Sequence, residues 1–301
     1  MNDIQNRITA LKKEKNAVIL AHYYVNMDAQ AVADHVGDSF ALAKTASELK
    51  ADIIVMCGVR FMAESAKILS PEKKVLLPVA KAGCPMADTV TPEDVKRLRR
   101  LYPEAAVVCY VNSSADVKAV SDICCTSSSA VRIVRSLPQR QIVFIPDRNL
   151  GSWVQTQAPE KEIILYSGCC PVHNNVTVED VKAARAAHPG AKLLTHPECP
   201  PEVVKMSDVV GSTAAILDTV IRGGPEDSFI IATEQGLADR IKALYPEKRI
   251  WQITGHFLCE DMKKITLKDV LRSLETGETE IRMTDGQIAA SLNSLDRMVK
   301  S

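Results

Sequence analysis

The stretch SPEKKVLLP, residues 70–78, decides the fold, because the chain repeats it twice. APEKEIILY occupies 158–166 and YPEKRIWQI 245–253, so Pro71, Pro159 and Pro246 stand 88 and 87 residues apart. Each copy follows a helical stretch. The proline ends that helix, and the β-branched and apolar run behind it reads as a buried strand.

Three further signatures recur in the same order at the same period. TPEDV, TVEDV and TLKDV begin at Thr91, Thr177 and Thr266. A threonine three residues before an aspartate is a capping box with Asp in place of Glu, so each marks a helix start, and Asp3 is the matching N-cap near the beginning of the chain. VILAHYY, VVCYVN and LLTHPE align His22, Tyr110 and His196. DIIVMCG, QIVFIPD and FIIATE supply apolar strands near 53, 142 and 229.

Each unit therefore reads helix, strand, helix, strand, helix, strand. Alternation of this kind implies an α/β fold with small parallel sheets covered by helices on both faces. Three three-layer α/β/α domains are expected, related by a pseudo-threefold axis around a central site. The divisions fall at 1–86, 87–172 and 173–301, the last including C-terminal closing helices. A lone unit of this size buries only ~60–65% of its chain's surface, which favours packing of the units on one another.

Composition narrows the function. Lysine plus arginine equals aspartate plus glutamate at 37 each, which argues against an electrostatic nucleic-acid or membrane partner. No apolar run reaches transmembrane length. The first twenty residues read as a charged helix and a strand rather than a signal peptide, so a cytoplasmic protein is expected. Nine cysteines are many for a reducing compartment, where structural disulfides are rare.

The repeat sorts those cysteines. Cys84 in AKAGCPMAD, Cys170 in SGCCPVH and Cys259 in TGHFLCEDM follow the PEK strands at spacings of 86 and 89. Cys169 falls where the other copies have Gly83 and Leu258, and Cys57, Cys109, Cys124, Cys125 and Cys199 have no cysteine counterparts. Three equivalent loops around one axis bring three sulfurs together. Three sulfur ligands with one place unfilled suit a 4Fe–4S cluster with an open iron or a zinc with a bound water. Inheritance of one ancestral loop cysteine explains the same register without a metal. A large concave centre favours the cluster over a structural zinc.

The first strand of each unit ends in a polar pair at i and i+2: His22 and Tyr24, Tyr110 and Asn112, His196 and Glu198. Such pairs face one way and lie at the carboxyl ends of parallel strands, where α/β sheets bind ligands. The next helix in each unit begins with hydroxyls, at Ser39, Ser127 and Ser212 with Thr213. These read as N-caps, and helix N-termini of this kind suit a substrate with several anionic groups. His173, Glu64 and Glu234 are lesser candidates, His256 lies near Cys259 without a repeat partner, and His35 and His188 read as solvated surface.

Taken together, LAHYY, GDS, CGVRFMAESAKIL, GCPMAD, YVN, TSSSA, PDRNLG, GCCPVH, HPEC, GST, IATE and a late cysteine resemble the quinolinate synthase family from about residue 17 to about 260. Cys169 and the divergent late motif GHFLCEDMKKITL depart from the pattern. The resemblance implies a pseudo-threefold fold and a 4Fe–4S cluster held by Cys84, Cys170 and Cys259. It implies condensation of iminoaspartate with dihydroxyacetone phosphate to quinolinate, with release of phosphate and water, in NAD biosynthesis. Functional coupling to an iminoaspartate-producing enzyme follows from the same substrate. Glu198 is the expected acid or base, with His196, Tyr24, His22 and Tyr110 assisting. Asn112, Ser39, Ser127, Ser212 and Thr213, with His22, Tyr110 and His196, are the expected substrate contacts. The rivals are a reductive dehydratase acting on a diphosphate, and a zinc-stabilised scaffold without catalysis.

Overall fold

In every unit the first strand lies in the middle of its sheet, and the strand order is the same three times over. The computed structural model describes residues 3–301. The first unit runs α1 (Asp3–Glu14), β1 (Ala17–His22), α2 (Met27–Val32), β2 (His35–Gly37), α3 (Ser39–Glu48), β3 (Ile53–Cys57), α4 (Arg60–Leu69) and β4 (Lys74–Leu76). The second runs α5 (Pro92–Leu101), β5 (Ala106–Tyr110), α6 (Ala115–Ala119), β6 (Ile123–Cys125), α7 (Ala130–Ser136), β7 (Gln141–Ile145), α8 (Arg148–Gln157) and β8 (Glu162–Leu165). After α9 (Pro171–Asn174), the third runs α10 (Val178–Ala187), β9 (Lys192–Thr195), α11 (Pro201–Val204), β10 (Val209–Val210), α12 (Thr213–Arg222), β11 (Ser228–Ala232), α13 (Gln235–Leu244) and β12 (Arg249–Gln252). The chain ends with α14 (Glu260–Lys263), α15 (Leu267–Thr276) and α16 (Asp285–Lys300).

All three sheets are parallel, ordered β2-β1-β3-β4, β6-β5-β7-β8 and β10-β9-β11-β12. The chain turns to opposite sides of the first strand when it adds the second and third. A crevice therefore opens beyond the carboxyl ends of β1 and β3, and likewise at β5/β7 and β9/β11. The capping boxes form at Thr91, Thr177 and Thr266, each hydroxyl accepting from the aspartate N–H three residues on.

Two sequence expectations need correction. Each sheet has four strands rather than three. The extra ones, HVG, ICC and VV, are two or three residues long and too short to show a period. The PEK strands all lie at sheet edges, yet Val75 and Leu76 of β4 and Ile250 of β12 are buried as expected; only β8 is not, its end residues Glu162 and Leu165 being exposed.

The first two units share one continuous apolar core that includes Ile8 and Leu11 of α1, Val270 and Leu274 of α15, and Leu295 and Met298 of α16. Helix α15 packs on α1, while α16 lies across α4, α6 and β6. The Ser291 and Ser294 hydroxyls of α16 donate to the Ala115 and Lys118 carbonyls at 2.8 and 2.9 Å. The closing helices, grouped by sequence with the third unit, thus seal the first and second. The third sheet has its own apolar cluster on each face. Polar contacts tie it to the first unit, among them Arg240 Nη1 to Gln30 Oε1 at 3.0 Å and Asn26 Nδ2 to the Lys263 carbonyl at 2.9 Å. Among the described residues no helix is long and apolar enough to cross a membrane.

Candidate functional site

The three crevices open into one cavity of about 290 Å³. His22, Tyr24, Ser39, Cys84, Tyr110 and Asn112 line it, as do Ser127, Cys170, His196, Glu198, Thr213 and Cys259. Of the residues singled out in sequence as site candidates, Ser212 and the lesser candidate Glu64 stay off its wall: the Ser212 hydroxyl caps α12 by accepting from the Ala215 N–H at 3.3 Å, and Glu64 pairs with Arg60 at 3.0 Å and accepts the Ala115 N–H at 3.2 Å.

Cys84, Cys170 and Cys259 each stand at the start of a short helical turn. Cys170 and Cys259 are the N-cap residues of α9 and α14, and Cys84 precedes a 3₁₀ turn over Ala87–Thr89. Burial pushes the Cys84 thiol up to about 12 and Cys259 up to about 11, and raises Cys170 well above the ordinary thiol value. Backbone N–H groups work against burial: Ala87 and Met86 face Cys84, His173 faces Cys170, and Met262 and Asp261 face Cys259. Those N–H groups favour the negatively charged form of each sulfur. Three such cysteines lining one cavity, with no fourth among its lining residues, fit a metal group that keeps one position for an outside ligand.

Carboxylates fasten two of the loops. Asp147 caps α8 through Leu150 N–H at 2.8 Å and accepts the Cys170 N–H at 2.9 Å. Glu234 caps α13 through Gly236 N–H at 2.6 Å and accepts the Cys259 N–H at 3.2 Å. Glu234 is also paired with Lys263 at 2.9 Å, and Lys263 donates to the Tyr24 carbonyl at 2.6 Å. The equivalent position in the first unit is Val59, and there the Gly83 N–H is bound by Asp261 from the Cys259 loop at 3.1 Å.

The strand-end histidines are held alike. His22 Nδ1 accepts from Tyr24 N–H at 3.2 Å, and His196 Nδ1 from Glu198 N–H at 3.3 Å. Each ring is thereby left with its proton on Nε2; that of His196 meets Ser127 Oγ at 3.2 Å. Burial, reinforced in His22 by the His196 ring, lowers both to about 3, so both are neutral near pH 7. Burial alone would raise the Glu198 carboxyl. The facing His173 and His196 rings, with hydrogen bonds from His173 and Tyr110, outweigh burial and keep it ionised at neutral pH. Burial raises Tyr24 and Tyr110, both of which stay protonated. Glu198 Oε1 and Asn112 Oδ1 are buried in this site without a partner, which is the condition of acceptors awaiting a ligand's donors.

The structure revises several assignments. The N-cap of α3 is Asp38, not Ser39, and the N-cap position of α7 belongs to Ser129, two residues past Ser127. His173 is central rather than peripheral: its Nδ1 lies 2.8 Å from Glu198 Oε2 and 3.2 Å from Cys170 Sγ. His188 stacks on Trp251 with ring centroids 4.1 Å apart, and His256 and Leu258 sit at the cavity mouth. Thr233, Asp147 and Lys263 escaped the sequence reading. Asp147 and Glu234 stand 87 residues apart after the third-formed strand of their units, and that register was the available signal.

The chain matches the family model described as quinolinate synthetase A protein over residues 6–300. It is 48% identical over 297 residues to a quinolinate synthase of Caldicellulosiruptor bescii, covering 99% of this chain and 98% of the relative. Against a quinolinate synthase of Clostridium perfringens the identity is 46% over 298 residues, with 99% of each covered. Against quinolinate synthase 2 of Methanosarcina acetivorans it is 47% over 296 residues, with 98% of this chain and 95% of the relative covered.

Proposed function

Since the chain belongs to the quinolinate synthase family and is an enzyme of that kind, we propose that it condenses iminoaspartate with dihydroxyacetone phosphate to quinolinate, releasing phosphate and water, for NAD synthesis. The observation that carries this reading is the convergence of three in-register cysteines and two unpartnered buried acceptors on one cavity.

On this reading Cys84, Cys170 and Cys259 each give one sulfur to a 4Fe–4S cluster, which supplies Lewis acidity at an open iron. The chain's own groups supply positioning and proton transfer. Glu198 is the base: it is ionised, buried, and has Oε1 free to take a proton from bound substrate. Tyr110, held against Glu198, is a protonated donor. The neutral His22 and His196 rings donate from Nε2 to substrate oxygens or return protons, and Tyr24 orients the reacting groups. Asn112 and Ser127 bind carboxylates; Ser39, Ser212 and Thr213 bring the N-terminal turns of α3 and α12 to the phosphate. Closing these polar groups around the reactants in a small cavity orients both and limits water. The division at 1–86, 87–172 and 173–301, a cytoplasmic location, and supply of iminoaspartate by a coupled enzyme complete the proposal.

The test is anaerobic. Purified protein given freshly generated iminoaspartate and dihydroxyacetone phosphate, with no reductant, forms quinolinate and carries iron and sulfide. Iron-loaded protein that forms none, or fully active protein without iron, overturns the proposal.

A further inference from the structure

The cavity proposed to take up a dicarboxylate and a phosphate ester has no fixed cation on its wall. Among the described residues its lining includes no lysine or arginine, yet it includes Asp38, Glu198, Glu234, Glu260 and Asp261. Lys263 is paired with Glu234 at 2.9 Å and Lys264 with Asp261 at 2.6 Å, so the charges of those two lysines are already matched. A wall of this kind repels anions unless positive charge reaches it from behind.

Lys118 of α6 is placed to supply that charge. Its side chain is fully buried and stands off the wall. Nζ donates to the Ser113 carbonyl at 2.6 Å and lies 5.5 Å from the centre of the Phe61 ring. Phe61 lines the cavity, as do Tyr110 and Asn112 on the turn that Ser113 closes. The Ser113 hydroxyl donates to the Tyr110 carbonyl at 3.0 Å, and its N–H to the Val111 carbonyl at 2.8 Å. A carbonyl oxygen and a ring face both attract an ammonium. Burial lowers the Lys118 pKa, while Cys124, Cys109, Glu64 and Cys84 act to raise it. Of these, the carboxylate of Glu64 is engaged elsewhere, by Arg60 Nε at 3.0 Å and the Ala115 N–H at 3.2 Å. Among the described residues no carboxylate pairs with Lys118, so its field is not cancelled on the spot.

The repeat shows that the local job needs no charge. Gln30 stands 88 residues before Lys118, the same separation as His22 from Tyr110. Gln30 is buried too, and its Nε2 donates at 3.0 Å to the carbonyl of Val25, the register equivalent of Ser113, and at 2.9 Å to that of Tyr23. Val204 holds the place in the third unit. A neutral amide therefore ties down the same turn in the first unit. Burying an ammonium costs far more than burying an amide, so the charge at 118 calls for a further use.

We propose that Lys118 is a specificity residue for anionic reactants: its ammonium, one side chain behind Phe61 and the Tyr110–Asn112 turn, supplies the positive potential of a cavity lined by carboxylates. The inference rests on the proposed function, which makes both reactants anions. Lys118 touches neither of them and acts through the low-dielectric wall between.

The test uses Lys118→Gln, which keeps a donor for the turn and removes the charge, and Lys118→Met, which keeps the length and removes both. Circular dichroism and iron content show whether each variant folds and loads. One unit charge at a separation on the order of 10 Å inside a protein changes anion affinity about threefold to tenfold for each negative charge. The expected result for Lys118→Gln is a KM about tenfold higher for each reactant with kcat within about threefold, because ground and transition states carry the same anionic groups. A second readout needs neither turnover nor iron. In iron-free protein, Cys84 is alkylated with iodoacetate and with iodoacetamide, and the two rates are read by mass spectrometry. Both reagents attack the same thiolate and differ in charge, so their ratio reports the potential beside it. That ratio falls about threefold or more in both variants. A folded Lys118→Gln variant with native KM and native ratio overturns the inference. So does one whose kcat falls while KM and ratio stay native, which leaves Lys118 as a support for the turn. If neither variant folds, the native protein decides: a Cys84 ratio above that of the same chain in urea supports the inference, and one below it overturns it. Native protein that makes no quinolinate sinks the proposed function instead, and the Cys84 ratio then decides the charge alone.

Discussion

The cysteine loops of the second and third units are each held by a carboxylate from their own unit, while the loop of the first is held from outside. Asp147 and Glu234 occupy one register position, and each binds both a helix N-terminus and the N–H of the adjacent cysteine. Val59 occupies that position in the first unit, buried in the apolar core shared with the second. A carboxylate there would face desolvation without the surroundings that Asp147 and Glu234 enjoy. Asp261, two residues past Cys259, takes over by binding Gly83 N–H. Repeated units therefore keep the sulfur and the helical turn behind it, and vary the support according to what each copy packs against.

The largest expected effects treat the three loops as equals. Cys84→Ala, Cys170→Ala and Cys259→Ala each abolish quinolinate formation and lower bound iron, measured by anaerobic iron and sulfide analysis. One variant that keeps both would separate its loop from the other two.

Removing the supports should expose the asymmetry. Glu234→Ala strands Lys263 and frees the Cys259 and Gly236 N–H groups; it costs about 3–5 kcal/mol. Asp147→Ala removes a cap and orphans the buried Cys170 N–H, costing about 2–4 kcal/mol. Both are read from urea unfolding of iron-free protein.

The strand ends differ in a similar way, with histidine in the first and third units and Tyr110 in the second. Burial, and for His22 the facing His196 as well, holds the two rings at about 3 against 6.5. Between those values the unfolded chain binds the extra protons. Stability from the two rings is complete above pH 6.5 and is lost as pH falls toward 3. At pH 5 the loss is on the order of 1–2 kcal/mol for each ring. His22→Gln or His196→Gln should flatten the acid limb of stability, and Tyr110→Phe should leave it unchanged. The smallest effect belongs to Asp261→Ala, about 0.5–1.5 kcal/mol, with faster removal of iron by a chelator. A cost equal to that of Glu234→Ala would erase the contrast between the loops.

Much of this was legible in the chain because it repeats. Four signatures at one period gave the units, the parallel sheets and the cysteines in register. The polar residues at strand ends followed from the alternation of side chains in a strand. What stayed hidden depends on contacts far apart in sequence. Thr233 looks like the end of an apolar strand until Tyr24, 209 residues away, meets its hydroxyl. Asp147 reads as an ordinary helix cap, and its second bond to Cys170 is visible only in three dimensions. The strands HVG, ICC and VV are paired by the neighbouring strand rather than by their own pattern. The destination of α16 was illegible for a related reason: its apolar stripe is clear, but nothing local says which unit it covers.

That helix has a consequence for how the protein is made. Residues 285–300 are made after all three units, yet they complete the interior of the first two. The buried members of the third unit's two clusters all fall between residues 176 and 257. The third unit can therefore consolidate while the first two still wait for their cover, so the order of folding inverts the usual N-terminus-first progression of synthesis. Until α16 has emerged, the nascent amino-terminal half exposes an unfinished apolar surface, and arrival of that helix is the event that closes it.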